Sequence, residues 1–362
     1  MKWLMMLVMI VIIGVSCLLN GCRATENRKD ADEEARAKKY ALVDLHLHLD
    51  GSLSVATVRE LADMQKIEIP EDDQELLDML QVDADCRDLN EYLEKFDITV
   101  SLLQTKEALS TAVYNLEEEL RAQALLYAEI RFAPQLHTEQ GLSQAEIVEA
   151  AIEGMNRSEF RSNLILCCMR GDDNREQNLE TVRIAKKYLG KGVCAVDIAG
   201  AEALYPTENF EDVFQLAKEL GVPYTIHAGE ADGAQSVYKA LEFGTKRVGH
   251  GVRSVEDNML IKRLADEGIT LELCPTSNMN TNIFESMEEY PIRKLLDAGV
   301  RVTINTDNMT VSGTTLQSEF RKMIDTFALT DEELKQLAKN SVNASFADQD
   351  TKKLILDELK TR

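Results

Sequence analysis

From about residue 40 onward the chain alternates between two patterns. Short, nearly unbroken apolar runs are separated by longer runs in which apolar residues recur every three or four positions. The short runs are ALVDLHL (41–47), LLYAEIRFA (125–133), NLILCCMR (163–170), GVCAVDIAG (192–200), PYTIHA (223–228), RVGHG (247–251), ITLELCP (269–275) and VRVTINT (300–306). Strands that are apolar on both faces belong in a parallel sheet covered on both sides. The intervening runs read as helices. In NFEDVFQLAKELG one stripe gathers Phe210, Val213, Phe214, Ala217 and Leu220, and Gly221 is a natural stop. In SVEDNMLIKRLADEG, Ser254 can cap the helix start and Gly268 can end it. Strand–helix alternation repeated through the chain predicts an α/β fold, a (β/α)8 TIM-type barrel. A helical insert follows the first strand, over roughly 52–124, and extra helices close the C-terminus.

The N-terminus follows neither pattern. One lysine, Lys2, precedes an apolar run from Trp3 to Leu19, and the charged stretch RATENRKDADEEARAKK comes next. That order is the shape of a secretory signal. Leu19-Asn20-Gly21-Cys22 also resembles the end of a bacterial lipoprotein box, with Cys22 as the residue that takes the lipid. The expected division is a signal over 1–21, a solvated linker over 22–39 and one barrel over 40–362. It implies an exported protein held at the membrane by a lipid. An uncleaved anchor is the alternative, because the apolar run is near the lower length limit for a span, ~17 residues.

Composition narrows the partners. With 362 residues and 44% hydrophobic content the chain can bury one large core. A formal charge of -23 excludes a phosphate-rich nucleic-acid surface and mainly serves solubility. No feature points to a protein partner. Of the seven cysteines, Cys86, Cys167, Cys168, Cys194 and Cys274 lie in the body, four of them inside apolar runs, which suits buried free thiols better than a disulfide framework. None has a CxxC spacing. The HxE plus PCxxC pattern of zinc deaminases acting on cytosine is also absent.

The chemistry lies in five histidines. His46 and His48 end the first run, His227 the fifth and His250 the sixth, while His137 follows the second. Side chains two apart on a strand share a face, so His46 and His48 can aim two imidazoles at one ion. His227 and Asp307, which follows the eighth run, would complete a zinc-type nitrogen and oxygen set on the rim where barrel enzymes act. Such a set leaves room for a water, whose pKa zinc lowers from about 15.7 toward ~7. Glu230, three residues beyond His227, cannot easily share that metal and suits a general acid. His250 suits a general base.

VDLHLHLDGS, EKFD, IHAGE, GHG, CPTSN and INTD, in this order, resemble the adenosine deaminase family of metal-dependent hydrolases. The likeness runs from about Ala41 to Phe346. It implies a barrel with one zinc on His46, His48, His227 and Asp307, and a purine nucleoside as substrate. Glu230 would protonate the purine N1 and His250 would assist the attacking hydroxide. His48, Asp50, Gly200 and Asn308 would contact the substrate: Asp50 at a ribose hydroxyl, the backbone of Gly200 at N3, and Asn308 at N7, where animal members carry the second aspartate of a pair. The implied reaction is hydrolysis of adenosine or 2'-deoxyadenosine to inosine and ammonia. The other readings are a related aminohydrolase acting on adenine or a modified adenosine, and a surface nucleoside-binding lipoprotein without catalysis. Ala199-Gly200 places no lysine at the end of the fourth run, which favours one metal ion over two.

Overall fold

The computed structural model describes residues 30–362. The expected strands are all there: β1 Val43–His48, β2 Tyr127–Phe132, β3 Ser162–Met169, β4 Val193–Ala199, β5 Ile226–Ala228, β6 Arg247–His250, β7 Thr270–Leu273 and β8 Arg301–Ile304. Sequence neighbours pair in parallel in two ladders, β1 to β4 and β5 to β8. Single bridges link the ladders: Val196 of β4 pairs with Tyr224 before β5, and Leu47 of β1 pairs with Asp307 beyond β8. The strands thus form a ring with two thin seams. Pro223 contributes to the first seam, since it has no N–H to donate and its carbonyl accepts from Val196 at 3.0 Å.

Amphipathic helices sheathe the ring. Glu211–Leu220 buries Val213, Phe214 and Ala217 and stops at Gly221, whose φ is 66°. Asn258–Glu267 stops at Gly268 (φ 63°), but its cap is Asp257, which accepts from the Met259 N–H. Ser254, the expected cap, lies in a short 3-10 turn over Val252–Glu256. Asp257 directly precedes the helix and its carboxylate faces the positive end of the dipole, so it displaces the more distant serine.

The ring's interior is charged. Arg131 of β2, wholly buried, meets Asp197 of β4 at 2.6 Å and Glu272 of β7 at 3.0 Å. Arg247 of β6 meets Glu129 of β2 at 2.6 Å and Glu272 at 2.7 Å. Buried charges persist only when paired and hydrogen-bonded, and here each cation bridges two carboxylates on different strands. The network ties β2, β4, β6 and β7 together directly under the site described below.

The insert after β1 folds as helices Val55–Gln65, Asp73–Leu80, Leu89–Leu93, Asp97–Leu102 and Lys106–Ala122. At the C-terminus Leu316–Phe327, Asp331–Ala344 and Gln349–Thr361 follow β8. One boundary needs correction. Residues 30–40, expected to be mostly linker, form a helix that buries Ala37 and Tyr40 and pins Arg36 to Asp331 at 2.7 Å. The two apolar residues three positions apart make a narrow stripe that the charged surroundings hide in the sequence. The expected signal over 1–21 and Cys22 lie outside the described residues. Among those described, no helix is long and apolar enough to cross a membrane, and the five cysteines are buried and free.

Candidate metal centre and active site

His46, His48, His227 and Asp307 converge, with one donor atom from each lying within 4.8 Å of all the others. His46 Nε2 is 3.3 Å and His48 Nε2 3.4 Å from Asp307 Oδ1, and His48 Nε2 is 3.4 Å from His227 Nε2. The backbone prepares this. Asp307 donates its N–H to the His46 carbonyl and accepts from the His48 N–H, both at 2.7 Å, so the segment after β8 is laid along β1. Asp307 and His250 both hold positive φ, 62° and 56°. Such conformations are unfavourable for residues other than glycine and persist only where surrounding structure enforces them. Between the histidines, a Cβ on Gly249 would come within 3.0 Å of His46 Cε1 and 3.1 Å of His227 Cα, which accounts for the first glycine of GHG.

The donor set fits a metal cation. His46 Nδ1 lies 2.9 Å from Glu272 and His227 Nδ1 lies 2.7 Å from Asp197. The Glu272 hydrogen bond on His46 Nδ1 leaves its Nε2 for an ion, and Asp197 stands near enough to do the same for His227. His46 Nε2 is buried without a hydrogen-bond partner. Burial pushes His48 well below the ordinary histidine range and also lowers His227, so both are neutral, as metal ligation requires. Burial would raise Asp307, yet the adjoining His46 side chain, hydrogen-bonding to it, holds its carboxyl well below the usual range. A second grouping, His46, His250, Cys274 and Asp307, is geometrically close. Burial drives the Cys274 thiol well up, and a thiol that keeps its proton is a poor ligand.

Two titratable side chains stand beside this cluster. Glu230 Oε1 is 3.6 Å from His250 Nε2. Burial, then the charges of Asp307 and Glu202, push the Glu230 carboxyl well above the carboxylate range, so it holds its proton. Burial also keeps His250 neutral. Tyr290 donates to Asn278 Oδ1 at 3.1 Å, which turns the Asn278 amide N–H toward His250 Nδ1 at 3.0 Å. With Nδ1 accepting, the ring proton sits on Nε2, facing Glu230 and Asp307. A cavity of about 270 Å³ opens over the cluster, walled by Leu89, Tyr92, Phe96 and Val100 of the insert. Its floor includes His48, Asp50, Gly200, His227, Glu230, His250, Asp307 and Asn308.

The adenosine deaminase family model matches residues 41–362. An adenosine deaminase of Haemophilus ducreyi is 49% identical over 333 residues, covering 90% of this chain and 97% of that protein. One from Enterococcus faecalis is 40% identical over 328 residues, covering 89% and 97%. The chain belongs to the adenosine deaminase family. Among solved structures, an adenine deaminase from Arthrobacter aurescens superposes with a TM-score of 0.79 at 27% identity, covering 88% of this chain and 98% of that one.

Every site residue that the family pattern suggested in the described region lies at this one cavity or in its metal cluster, His46 being the innermost. His137 does not; it is wholly buried elsewhere, against Phe132. Four residues around the adenosine deaminase site went unread in the sequence: Asp197, Glu272, Asn278 and Glu202. A signal existed for the first two, since a carboxylate inside VDIA or LELCP breaks an otherwise apolar strand and must have a buried partner.

Proposed function

We propose that this enzyme hydrolyses adenosine and 2'-deoxyadenosine to inosine and ammonia with one zinc ion held by His46, His48, His227 and Asp307. The observation that carries the reading is the placement of Glu230 and His250, 3.6 Å apart, beside a four-donor cluster in one cavity. Nitrogen and carboxylate donors in this number suit zinc. Bound there, zinc supplies Lewis acidity that brings the pKa of water toward ~7. Glu230 holds the proton that N1 of the purine takes as C6 is attacked. His250 presents its Nε2–H to orient the attacking oxygen. The Asn308 amide can donate to N7 without changing its charge. Gly51 makes room for Asn308, since a Cβ there would fall 1.9 Å from its Oδ1.

The cavity favours a nucleoside over a base or a nucleotide. Burial pushes the Asp50 carboxyl up to about 6, and its Oδ1 is buried without a partner. A ribose hydroxyl would satisfy that oxygen, whereas free adenine would leave it bare. Among the described residues, no lysine or arginine lines the cavity to meet a phosphate. The test is a deamination assay on the zinc-loaded full chain with adenosine, 2'-deoxyadenosine, adenine and AMP. Because a site built around a substrate hydroxyl rejects analogues lacking it by ~10⁴-fold, kcat/KM for adenosine should exceed that for adenine by orders of magnitude. Equal or faster turnover of adenine or AMP would overturn the nucleoside assignment.

The same proposal places the enzyme outside the membrane, tethered by a lipid on Cys22, where it acts on nucleosides before uptake. The lipobox-like Leu19-Asn20-Gly21-Cys22 supports this. Cys22→Ser should move the protein from the membrane fraction to the soluble one. A variant that sediments with membranes as fully as wild type would favour the uncleaved anchor.

A further inference from the structure

Glu230 is carried by a turn between β5 and the helix Ala234–Phe243. Four consecutive N–H groups of that turn converge on one carboxylate from the loop after β4. Glu202 Oε1 accepts from Gly229 at 2.7 Å, and Oε2 accepts from Glu230 at 2.9 Å, Ala231 at 2.7 Å and Asp232 at 3.0 Å. Ser236 Oγ donates to Oε1 at 2.5 Å and shares a hydrogen bond with Thr207 at 2.7 Å. Arg170 donates to that Thr207 hydroxyl at 3.1 Å and to the His227 carbonyl at 2.7 Å. Glu202 is 1% exposed. Successive N–H groups curled in this way form the concavity that elsewhere binds free anions, and here a side chain occupies it. From the other side the turn is packed tight: Gly229 has φ +69°, and a Cβ there would lie 2.4 Å from Val237 Cγ2.

We infer that Glu202 is a positioning residue for the reaction, a clamp on the backbone that sets where the Glu230 carboxyl meets the purine. The inference rests on the role proposed above for Glu230. Glu202 follows Gly200 by two residues, so the short loop that lines the cavity at Gly200 also carries the clamp on the turn of Glu230. Its charge stands beside Glu230 and, after burial and Asp307, helps that group retain its proton. Nothing about Glu202 requires contact with substrate. It acts through the turn.

Glu202→Gln keeps the size but sets an amide N–H₂ against backbone N–H donors. The experiment measures kcat, KM, bound zinc and inosine affinity for this variant in the wild-type and Glu230→Gln backgrounds. Because displacing a catalytic group by ~1 Å costs about 10²-fold, kcat should fall by roughly 10- to 100-fold. KM, zinc content and inosine affinity should stay within a few-fold, and Glu202→Asp should recover part of the rate. In the Glu230→Gln background the further loss should vanish, since residues acting as a unit are non-additive. An unchanged kcat, an equal loss in both backgrounds, or loss of zinc or inosine binding with the rate would overturn the inference alone. If Glu202→Gln does not fold, Ser236→Ala, which removes one donor to the clamp, goes through the same cycle under the same criteria. A wild type without deaminase activity, or a Glu230→Gln variant of wild-type activity, would instead overturn the proposed function and this inference with it.

Discussion

Replacing His227 with alanine should empty the metal centre and abolish turnover. The four donors come from β1, β5 and the segment after β8, and of the neighbours, burial leaves the Cys274 thiol protonated while His250 Nδ1 is taken up by Asn278. Losing an outer partner of a ligand commonly costs ~10–100-fold in metal affinity, and losing the ligand itself should cost more. The variant also strands Asp197, whose carboxylate meets His227 Nδ1 at 2.7 Å and Arg131 at 2.6 Å. Arg131 keeps that charge paired, so the barrel should still fold. Two measurements check this. Elemental analysis after dialysis should find zinc in the wild type and little in His227→Ala. Thermal melting gives a readout independent of activity, because a metal at 1,000 times its Kd stabilises the folded state by about 4 kcal/mol. Chelator should therefore lower the wild-type Tm and leave the variant's unmoved. Stoichiometric zinc in the variant would remove His227 from the ligand set.

The same arrangement shows what a single sequence reveals and what it conceals. Scarce histidines at the ends of apolar runs pointed to a rim, because strand periodicity and barrel architecture are both written locally. His46 and His48 needed only their spacing. The carboxylates behind His46 and His227, Glu272 and Asp197, needed the closed ring: Glu272 comes from β7, more than two hundred residues after His46, and Asp197 from β4. Pairing across strands leaves no local period to read. Helix starts failed for a related reason. Ser254 and Asp257 are both plausible caps by type, and only the short turn over Val252–Glu256 decides between them. PYTIHA shortened to the three residues of β5 because Pro223 and Tyr224 lie at a seam where the ladder is one bridge wide. The insert's role was also illegible, since nothing local in its sequence shows that Tyr92 and Phe96 wall the cavity.

Glu230→Gln should retain the fold, the metal and substrate binding while losing most of the rate. Glutamine matches glutamate in shape and keeps a hydrogen-bond donor toward the cavity, so a purine still finds a partner for its ring nitrogen. What it cannot do is release a proton. As an oxygen adds to C6, electrons move onto N1, and without a proton there the ring must carry negative charge in a cavity that already holds Asp307 and Asp50. Burial, Asp307 and Glu202 are what keep the wild-type carboxyl charged with that proton, and none of them helps an amide. A positioned acid commonly contributes ~10²–10⁴-fold, and here the upper part of that range is expected because His250, 3.6 Å from Glu230, is held neutral by burial and is a weak acid. The measurement is kcat and KM for adenosine beside the Kd for inosine and the zinc content. A fall in kcat alone, with the other three within a few-fold of wild type, is the expected result. Near-normal kcat would mean that N1 takes its proton from elsewhere, and a parallel loss of zinc would mean that Glu230 supports the metal centre rather than the proton transfer.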